Sequence, residues 1–247
     1  MNRKVVFPQV LGLVTPSDHS SRSAFSGTRD LLLVCGGRSP SSEWFRKAAQ
    51  GRELHCADSG ANICRREDLL PASFVGDGDS ADPETLLWLE EKGVPRLFLP
   101  REKDETDYQV LLHRIASLGE SVRTIVVTGI WGGRFDHLYS ALGISVGFLA
   151  RETIPLLALG DSEEVLFFLC SGESLELRFA SSPSVFSLLP LSESCEGVTS
   201  RGTKWDLTDV ALSRHCPYAI SNEILRESEN CTVILKRGIL GVYAWWE

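Results

Sequence analysis

The stretch from Phe74 to Asp107 contains the residues best suited to chemistry. Asp77 and Asp79 are two apart in a loop broken by glycines, so an extended backbone points both carboxylates to the same side. Asp104 and Asp107 are three apart, which places both on one face of a helical turn. Carboxylates about 4 Å apart repel by roughly 4 kcal/mol at an effective dielectric near 20. A fold that gathers them therefore needs a cation, and oxygen ligands on loops suit Mg²⁺ held together with substrate phosphates. Solvated turns are the alternative interpretation of the same residues.

A second segment, Gly132-Gly-Arg-Phe-Asp-His137, has the composition of a phosphate contact. Paired glycines allow close backbone approach, and the Arg134 guanidinium can bind phosphate oxygens through two parallel hydrogen bonds. Asp136 could orient Arg134 or bind a metal. A glycine turn with a surface ion pair is the alternative.

These residues lie among segments that alternate between strand-like and helix-like patterns. Asp58, Asp77, Asp104 and Arg134 each follow a predicted strand. Alternation at short intervals predicts an α/β fold, with a Rossmann-like, mostly parallel sheet covered by helices on both faces. Ligands of such sheets bind at the carboxyl ends of the strands, so we expect the four side chains to share one rim. The predicted strands are 31–35, 54–57, 71–75, 94–99 and 123–128, and the predicted helices are 44–50, 61–67, 82–92, 106–118 and 138–151.

After about Gly160 the sequence shows little helical pattern. Short strand candidates, separated by Gly, Pro, Ser and Asn turns, predict a smaller antiparallel β-sandwich. We therefore expect three parts: a flexible N-terminal extension over residues 1–29, an α/β catalytic domain over residues 30–160 and a β-sandwich domain over residues 161–247. The strand candidates of the second domain are 165–170, 174–179, 184–189, 203–205 and 231–236.

Composition excludes several classes of function. The chain has 247 residues and a net charge of −8, which argues against nucleic-acid binding because that requires a basic face. No apolar run approaches the length of a membrane span. Seven scattered cysteines, with no C-x-x-C pair, indicate buried thiols in a reducing compartment. We expect a cytoplasmic protein that contacts neither membrane nor nucleic acid.

Two motifs of other enzyme classes fit the sequence formally. Residues 76–81 match the dinucleotide fingerprint, but two aspartates would face the pyrophosphate and the helix starts only at Asp82-Pro83. Gly143-Ile-Ser-Val-Gly147 matches the nucleophile elbow, yet it lies within a predicted helix, so Ser145 is interpreted as a packing residue. The Walker motif G-x-x-x-x-G-K-[ST] is absent from the sequence.

The motifs together resemble the thiamine pyrophosphokinase family. The resemblance covers roughly residues 31–240, and the ordered set is far more specific than any one motif. The segments that carry it are Ala57-Asp-Ser-Gly-Ala-Asn62, Val75-Gly-Asp-Gly-Asp-Ser80, Lys103-Asp-Glu-Thr-Asp107, Gly132-Gly-Arg-Phe-Asp-His137, Phe186-Ser-Leu-Leu-Pro190, Gly202-Thr-Lys-Trp-Asp-Leu207 and Ile220-Ser-Asn-Glu223.

The resemblance implies transfer of a diphosphoryl group from ATP to the hydroxyl of thiamine, with Mg²⁺, giving thiamine diphosphate and AMP. It implies a homodimer with each active site between the α/β domain of one chain and the β-sandwich of the other. It also implies residue roles. The catalytic residues would be Asp58, Asp77, Asp79 and Asp107, of which Asp77, Asp79 and Asp107 would bind the metal. The ATP contacts would be Lys103, Thr106, Thr128, Gly132, Gly133, Arg134 and Asp136, and the thiamine contacts Trp205, Ser221 and Asn222.

Three positions depart from the family pattern. Gly78 replaces a usual aromatic residue, Lys103 a usual glutamine and Ser59 a usual glycine. Two alternatives therefore stay open: a binding homologue with weakened catalysis, and a related diphosphokinase acting on another alcohol.

Overall fold

Two β-sheets and five helices form the part of the chain that the computed structural model describes. That part comprises residues 3–17, 27–102, 104–118, 121–151, 156–225 and 230–247. The strands are β1 (Arg3–Val6), β2 (Val10–Pro16), β3 (Arg29–Val34), β4 (Glu53–Ala57), β5 (Ser73–Gly76), β6 (Arg96–Phe98), β7 (Val122–Thr128), β8 (Leu156–Gly160), β9 (Glu164–Cys170), β10 (Glu173–Phe179), β11 (Val185–Pro190), β12 (Ser194–Arg201), β13 (Val210–Ser213), β14 (Asn230–Leu235) and β15 (Ile239–Trp245). The helices are α1 (Ser42–Ala49), α2 (Gly60–Arg66), α3 (Pro83–Glu91), α4 (Asp107–Ala116) and α5 (Phe135–Arg151).

The larger sheet has nine strands in the order β11-β15-β9-β8-β7-β3-β4-β5-β6. Its six strands from β8 to β6 are mutually parallel. β9, β15 and β11 extend the sheet beyond β8 as antiparallel strands. The predicted α/β class with a mostly parallel sheet is confirmed.

Helices cover both faces of the parallel strands because the strands are apolar on both sides. Alternate residues of β3 enter different cores: Leu32 and Val34 pack with α1 and α2, whereas Leu31 and Leu33 pack with α4 and α5. The carboxyl ends of the parallel strands are left as the rim at which loops can gather side chains.

The smaller sheet has six antiparallel strands in the order β1-β2-β10-β14-β12-β13. Its buried residues, such as Leu175 and Val233, share one core with Phe167 of β9 and Phe186 of β11. The second layer of the sandwich is therefore the antiparallel end of the large sheet. The predicted strand 203–205 is wrong, because Thr203 forms only an isolated bridge with Ile224.

The N-terminal hairpin, residues 3–16, corrects the prediction of a flexible extension over residues 1–29. β1 pairs with β2, and β2 pairs along its length with β10. Phe7 is buried and stacks on Trp44 with 5.7 Å between ring centroids. Pro8-Gln9, which interrupts the apolar pattern in the sequence, is the turn of the hairpin. Residues 18–26 lie outside the described residues.

The predicted burial of the cysteines is confirmed for six of the seven. All seven lie in described segments and are free thiols, and six are buried while Cys216 is exposed. Among the described helices, none combines the length and the hydropathy needed to cross a lipid bilayer.

Candidate active site

A cleft of about 770 Å³ opens at the carboxyl edge of the parallel strands. The loops after β3, β4 and β7 contribute to it, together with the first turns of α4 and α5. Predicted site residues that line it are Asp58, Thr106, Asp107, Gly132, Gly133 and Arg134. The sequence patterns of separate elements therefore converge on one concave site.

One side of the cleft is a glycine wall, formed by Gly36, Gly37, Gly129, Gly132 and Gly133. The loop after β3 crosses the loop after β7 so closely that the Gly37 amide donates a hydrogen bond to the Gly129 carbonyl. Gly129 has φ of +68°, and a Cβ there would lie 2.0 Å from the carbonyl oxygen of Cys35. Only glycine satisfies both constraints. The wall presents backbone instead of side chains to whatever occupies the cleft.

Asp58, Asp77 and Asp79 form an acidic cluster, in which each offers one oxygen and these oxygens all lie within 4.8 Å of one another. Asp58 lines the cleft, whereas Asp77 and Asp79 do not. Asp58 follows β4 and Asp77 follows the neighbouring parallel strand β5, so strand pairing sets their proximity. Asp79 joins them through a tight turn in which its amide donates to Asp77 Oδ1 at 3.0 Å. Ser80 Oγ donates to Asp58 Oδ2, whereas Asp58 Oδ1 is buried without a hydrogen-bond partner among the described residues.

The acidic cluster carries electrostatic strain. A hydrogen bond with Asp77 and repulsion from its charge raise the pKa of Asp79, and Arg101, whose Nε lies 3.4 Å from Asp79 Oδ2, opposes the shift. The folded protein therefore binds the proton of the Asp79 carboxyl more tightly than the unfolded chain does. Ionisation of Asp79 above its raised pKa costs folding stability, and a cation among the oxygens would remove that cost. The donor set could hold a hard divalent metal.

Asp107 lines the cleft from a different direction. It lies in the first turn of α4, where Thr106 caps the helix by accepting a hydrogen bond from the Gln109 amide at 3.2 Å. The structure groups Asp58, and not Asp107, with the paired aspartates. The clustered residues Asp58, Asp77 and Asp79 therefore differ from the predicted metal ligands Asp77, Asp79 and Asp107. Asp58 follows the strand next to β5, whereas Asp107 approaches on a helix that covers one face of the sheet.

Arg134 extends from the turn that precedes α5, and its guanidinium meets the Asp136 carboxylate through two hydrogen bonds, one of them 3.1 Å from Nε to Oδ1. The bonds from Arg134 lower the pKa of Asp136. Both side chains are exposed. Arg134 lines the cleft and Asp136 does not, so Asp136 has the geometry of a residue that orients Arg134.

Two predicted nucleotide contacts remain. Thr128, the last residue of β7, is fully buried and does not line the cleft. Its carbonyl accepts a hydrogen bond from Cys35 at 2.8 Å. The Thr128 side chain is therefore part of the buried sheet behind the glycine wall. Lys103 lies outside the described residues.

The predicted vitamin contacts lie in the segments that follow β12 and β13, and Asn222 forms a bridge with Phe186 of β11 in the larger sheet. Trp205 is 56% exposed, and its backbone is held from both sides by the buried side chain of Asn222. Asn222 Oδ1 accepts from the Trp205 amide at 3.2 Å, and Nδ2 donates to the Trp205 carbonyl at 3.0 Å. Ser221 is exposed, with φ of +58°, and its amide donates to Ser187 Oγ at 3.0 Å. Asn222 therefore fixes Trp205, and Trp205 and Ser221 face solvent.

Sequence reasoning assigned no role to Ser80 or Arg101, although both line the cleft and contact the acidic cluster. Ser80 is the last residue of the motif Val75-Gly-Asp-Gly-Asp-Ser80, and its place beside Asp79 is the signal that could have identified it. Ser145, interpreted as a packing residue, is buried on α5 and hydrogen-bonds the Ala141 carbonyl and the Tyr108 hydroxyl, both at 2.8 Å.

The fold and the cleft define an α/β protein whose site is suited to phosphate groups and a metal ion. Two family models match the sequence. They are described as the thiamin pyrophosphokinase catalytic domain, over residues 46–157, and the thiamin pyrophosphokinase vitamin B1 binding domain, over residues 176–240. The chain belongs to the thiamin pyrophosphokinase family.

Individual relatives agree with this assignment. Thiamine pyrophosphokinase 1 of Oryza sativa is 27% identical over 203 residues, which cover 72% of this chain and 74% of the relative. Thiamine pyrophosphokinase of Bacillus subtilis is 26% identical over 184 residues, which cover 74% of this chain and 82% of the relative.

Solved structures show the same fold. The crystal structure of thiamine pyrophosphokinase from Bacillus subtilis has a TM-score of 0.76 at 20% identity, covering 89% of this chain and all of that one. The thiamin pyrophosphokinase from Candida albicans has a TM-score of 0.71 at 17% identity, covering 88% of this chain and 89% of that one.

Proposed function

We propose that this protein is a thiamine diphosphokinase, which transfers the diphosphoryl group of ATP to the thiamine hydroxyl and gives thiamine diphosphate and AMP. The observation that carries the proposal is the acidic cluster, whose member Asp58 lines one cleft with Arg134 in a chain that matches both domains of the family. The two alternatives, a weakened binding homologue and a diphosphokinase for another alcohol, are not favoured by these matches.

The acidic cluster fits Mg²⁺. Its donors are all carboxylate oxygens, and the buried Oδ1 of Asp58 has no other partner among the described residues. Asp58, Asp77 and Asp79 would hold the ion. When bound, Mg²⁺ would neutralise phosphate charge and help to orient the phosphate chain.

In the proposed reaction, the thiamine hydroxyl oxygen forms a bond to the β-phosphorus of ATP. The bond from that phosphorus to the oxygen bridging it to the α-phosphate breaks, AMP leaves with this oxygen, and the hydroxyl loses its proton. Such transfers depend mainly on positioning and on charge neutralisation. Arg134 would bind phosphate oxygens, and the glycine wall would let the phosphate chain approach the backbone closely.

The vitamin site would be shared by two chains of a homodimer. An indole face attracts a cationic thiazolium by about 1–2 kcal/mol when desolvated. Trp205 does not line the cleft of its own chain. Exposed aromatic residues occur both beside the cleft, at Phe135 and Tyr139 on α5, and near Trp205 in sequence, at Tyr218. Pairing of two chains that brings these surfaces together would place Trp205 over the partner's cleft. The free cysteines fit the cytoplasm, where thiols stay reduced.

Incubation of the protein with ATP, Mg²⁺ and thiamine tests the proposal directly. We expect AMP and thiamine diphosphate in equal amounts, measured by chromatography. A thiamine analogue that lacks the hydroxyl is the matched control and should give no AMP above the rate without acceptor. Release of ADP in place of AMP, or turnover only with a different alcohol, would contradict the proposed reaction.

Addition of Mg²⁺ should raise the thermal unfolding temperature at pH 7.5. A ligand at ten times its Kd stabilises by about 1.4 kcal/mol, which corresponds to roughly 3–6 °C for a chain of this size. Differential scanning fluorimetry at matched ionic strength measures the shift. We expect the shift to vanish in Asp58→Asn, and an equal shift in that variant would remove the metal from the acidic cluster.

A further inference from the structure

Arg38 connects the glycine wall to the antiparallel half of the large sheet. Its Nε donates to Asp161 Oδ2 at 2.7 Å, and its terminal nitrogens contact Glu163 and Glu164. Asp161 is completely buried in the turn between β8 and β9, where its Oδ1 accepts from the amides of Glu163 and Glu164 at 2.8 and 3.0 Å. Backbone amides of its own turn therefore hold the Asp161 carboxylate in place independently of Arg38.

The other end of Arg38 is part of the cleft. Its backbone amide donates to the Trp131 carbonyl at 2.6 Å, directly after the contact between Gly37 and Gly129. The Arg38 Cβ lies 3.0 Å from the position that a Cβ on Gly132 would take. One residue thus touches both loops of the glycine wall through its backbone and Cβ, and the β8–β9 turn through its guanidinium.

The contacts of Asp161 continue into the N-terminal hairpin. Gln9 Nε2 donates to the Asp161 carbonyl at 2.6 Å, and Trp44 Nε1 donates to Gln9 Oε1 at 2.6 Å. On the opposite side, the Tyr243 hydroxyl donates to Glu164 Oε2 at 2.7 Å. The position of the Asp161 turn is therefore set by the β1–β2 turn, β9 and β15, all of which are outside the parallel strands that carry the acidic cluster.

From these contacts we infer that Arg38 is a positioning residue for the proposed diphosphoryl transfer: seated on Asp161, it sets the distance between the glycine wall and the acidic cluster. This inference rests on the proposed function. The carboxylates of Asp161 and Glu164, together with the two loop contacts, hold the wall on the antiparallel half of the large sheet, and the exposed Glu163 adds only an outer ion pair. A nucleotide bound between wall and cluster would depend on that distance, whereas the vitamin site around Trp205 would not.

Arg38→Lys is the sharpest variant, because it keeps the charge but loses the planar fork that engages several carboxylates at once. A displacement of about 1 Å at a site of this kind can cost up to roughly a hundredfold in rate. We expect the KM for MgATP to rise about tenfold or more, while the KM for thiamine changes less than about twofold. Binding of a non-hydrolysable ATP analogue with Mg²⁺, measured by calorimetry without thiamine, should weaken by the same factor.

Two controls separate positioning from general loss of stability. Glu163→Gln removes only the exposed arm of the contact and should leave both KM values near those of the wild type. Val233→Ala destabilises the smaller sheet, away from the cleft, and should lower the unfolding temperature without raising the KM for MgATP. If folded Arg38→Lys kept a wild-type KM and analogue affinity, Arg38 would not position the wall. Failure of the wild-type protein to produce AMP would instead contradict the proposed function.

Discussion

Replacement of Asp58 by asparagine is expected to lower kcat/KM for diphosphoryl transfer by roughly a thousandfold. Loss of one preorganised electrostatic contact typically costs about 10²–10³ in rate, and a weakened metal site adds to this. The change is nearly isosteric, and Asp58 has φ of +49°, a left-handed conformation that asparagine also adopts readily. The fold should therefore survive, and the loss in AMP formation should report on the charge. Asp79→Asn should behave in the same way, because it belongs to the same cluster.

Asp104→Asn is the matched control for charge. Asp104 is an exposed carboxylate three residues before Asp107, and it is not one of the three clustered oxygens. Its replacement changes the net charge by the same amount and should leave kcat/KM within about twofold of the wild type, as for most surface substitutions. Equal losses in Asp104→Asn and Asp58→Asn would point to the overall field of the loop, and wild-type turnover in Asp58→Asn would contradict the metal assignment.

The parallel half of the fold could be predicted because its signals are local. Asp82 precedes Pro83, and α3 begins at Pro83. The helix predicted from residue 106 is α4, which begins at Asp107 after the Thr106 cap. Aspartates at strand ends were expected at one rim because parallel strands end on the same side. The structure brings Asp58, Asp77 and Asp79 together there.

The rest depends on contacts that are distant in sequence. β2 pairs with β10, so the N-terminal hairpin is stable only once a strand more than 150 residues away is present. β15 joins β9 and β11, and neither pairing has a sequence signal of its own. Arg38 and Asp161 are likewise 123 positions apart. The side chain of Asn222 was predicted as a vitamin contact, but the structure commits it to the Trp205 backbone.

A mixed dimer of Asp58→Asn and Trp205→Ala chains should be more active at low thiamine concentration than either parent. Trp205→Ala alone should raise the KM for thiamine roughly tenfold, because it removes a cation–π contact and the apolar face. If each site combines the acidic cluster of one chain with Trp205 of the other, the mixed dimer has one site with both defects and one intact site. It should therefore show about half of the wild-type activity per dimer at low thiamine concentration.

Co-expression with two affinity tags and sequential purification isolates the mixed dimer, and AMP formation measures it. A mixed dimer of Asp58→Asn and Asp79→Asn is the matched control. Both changes lie in the same acidic cluster, so every site keeps one defect and activity should stay at the level of the parents. Recovery in that control would mean that the acidic cluster itself combines residues of both chains. If the Asp58→Asn/Trp205→Ala dimer shows no more activity at low thiamine concentration than the Trp205→Ala parent, Trp205 belongs to the same site as the acidic cluster of its own chain, because every site would then carry one of the two defects.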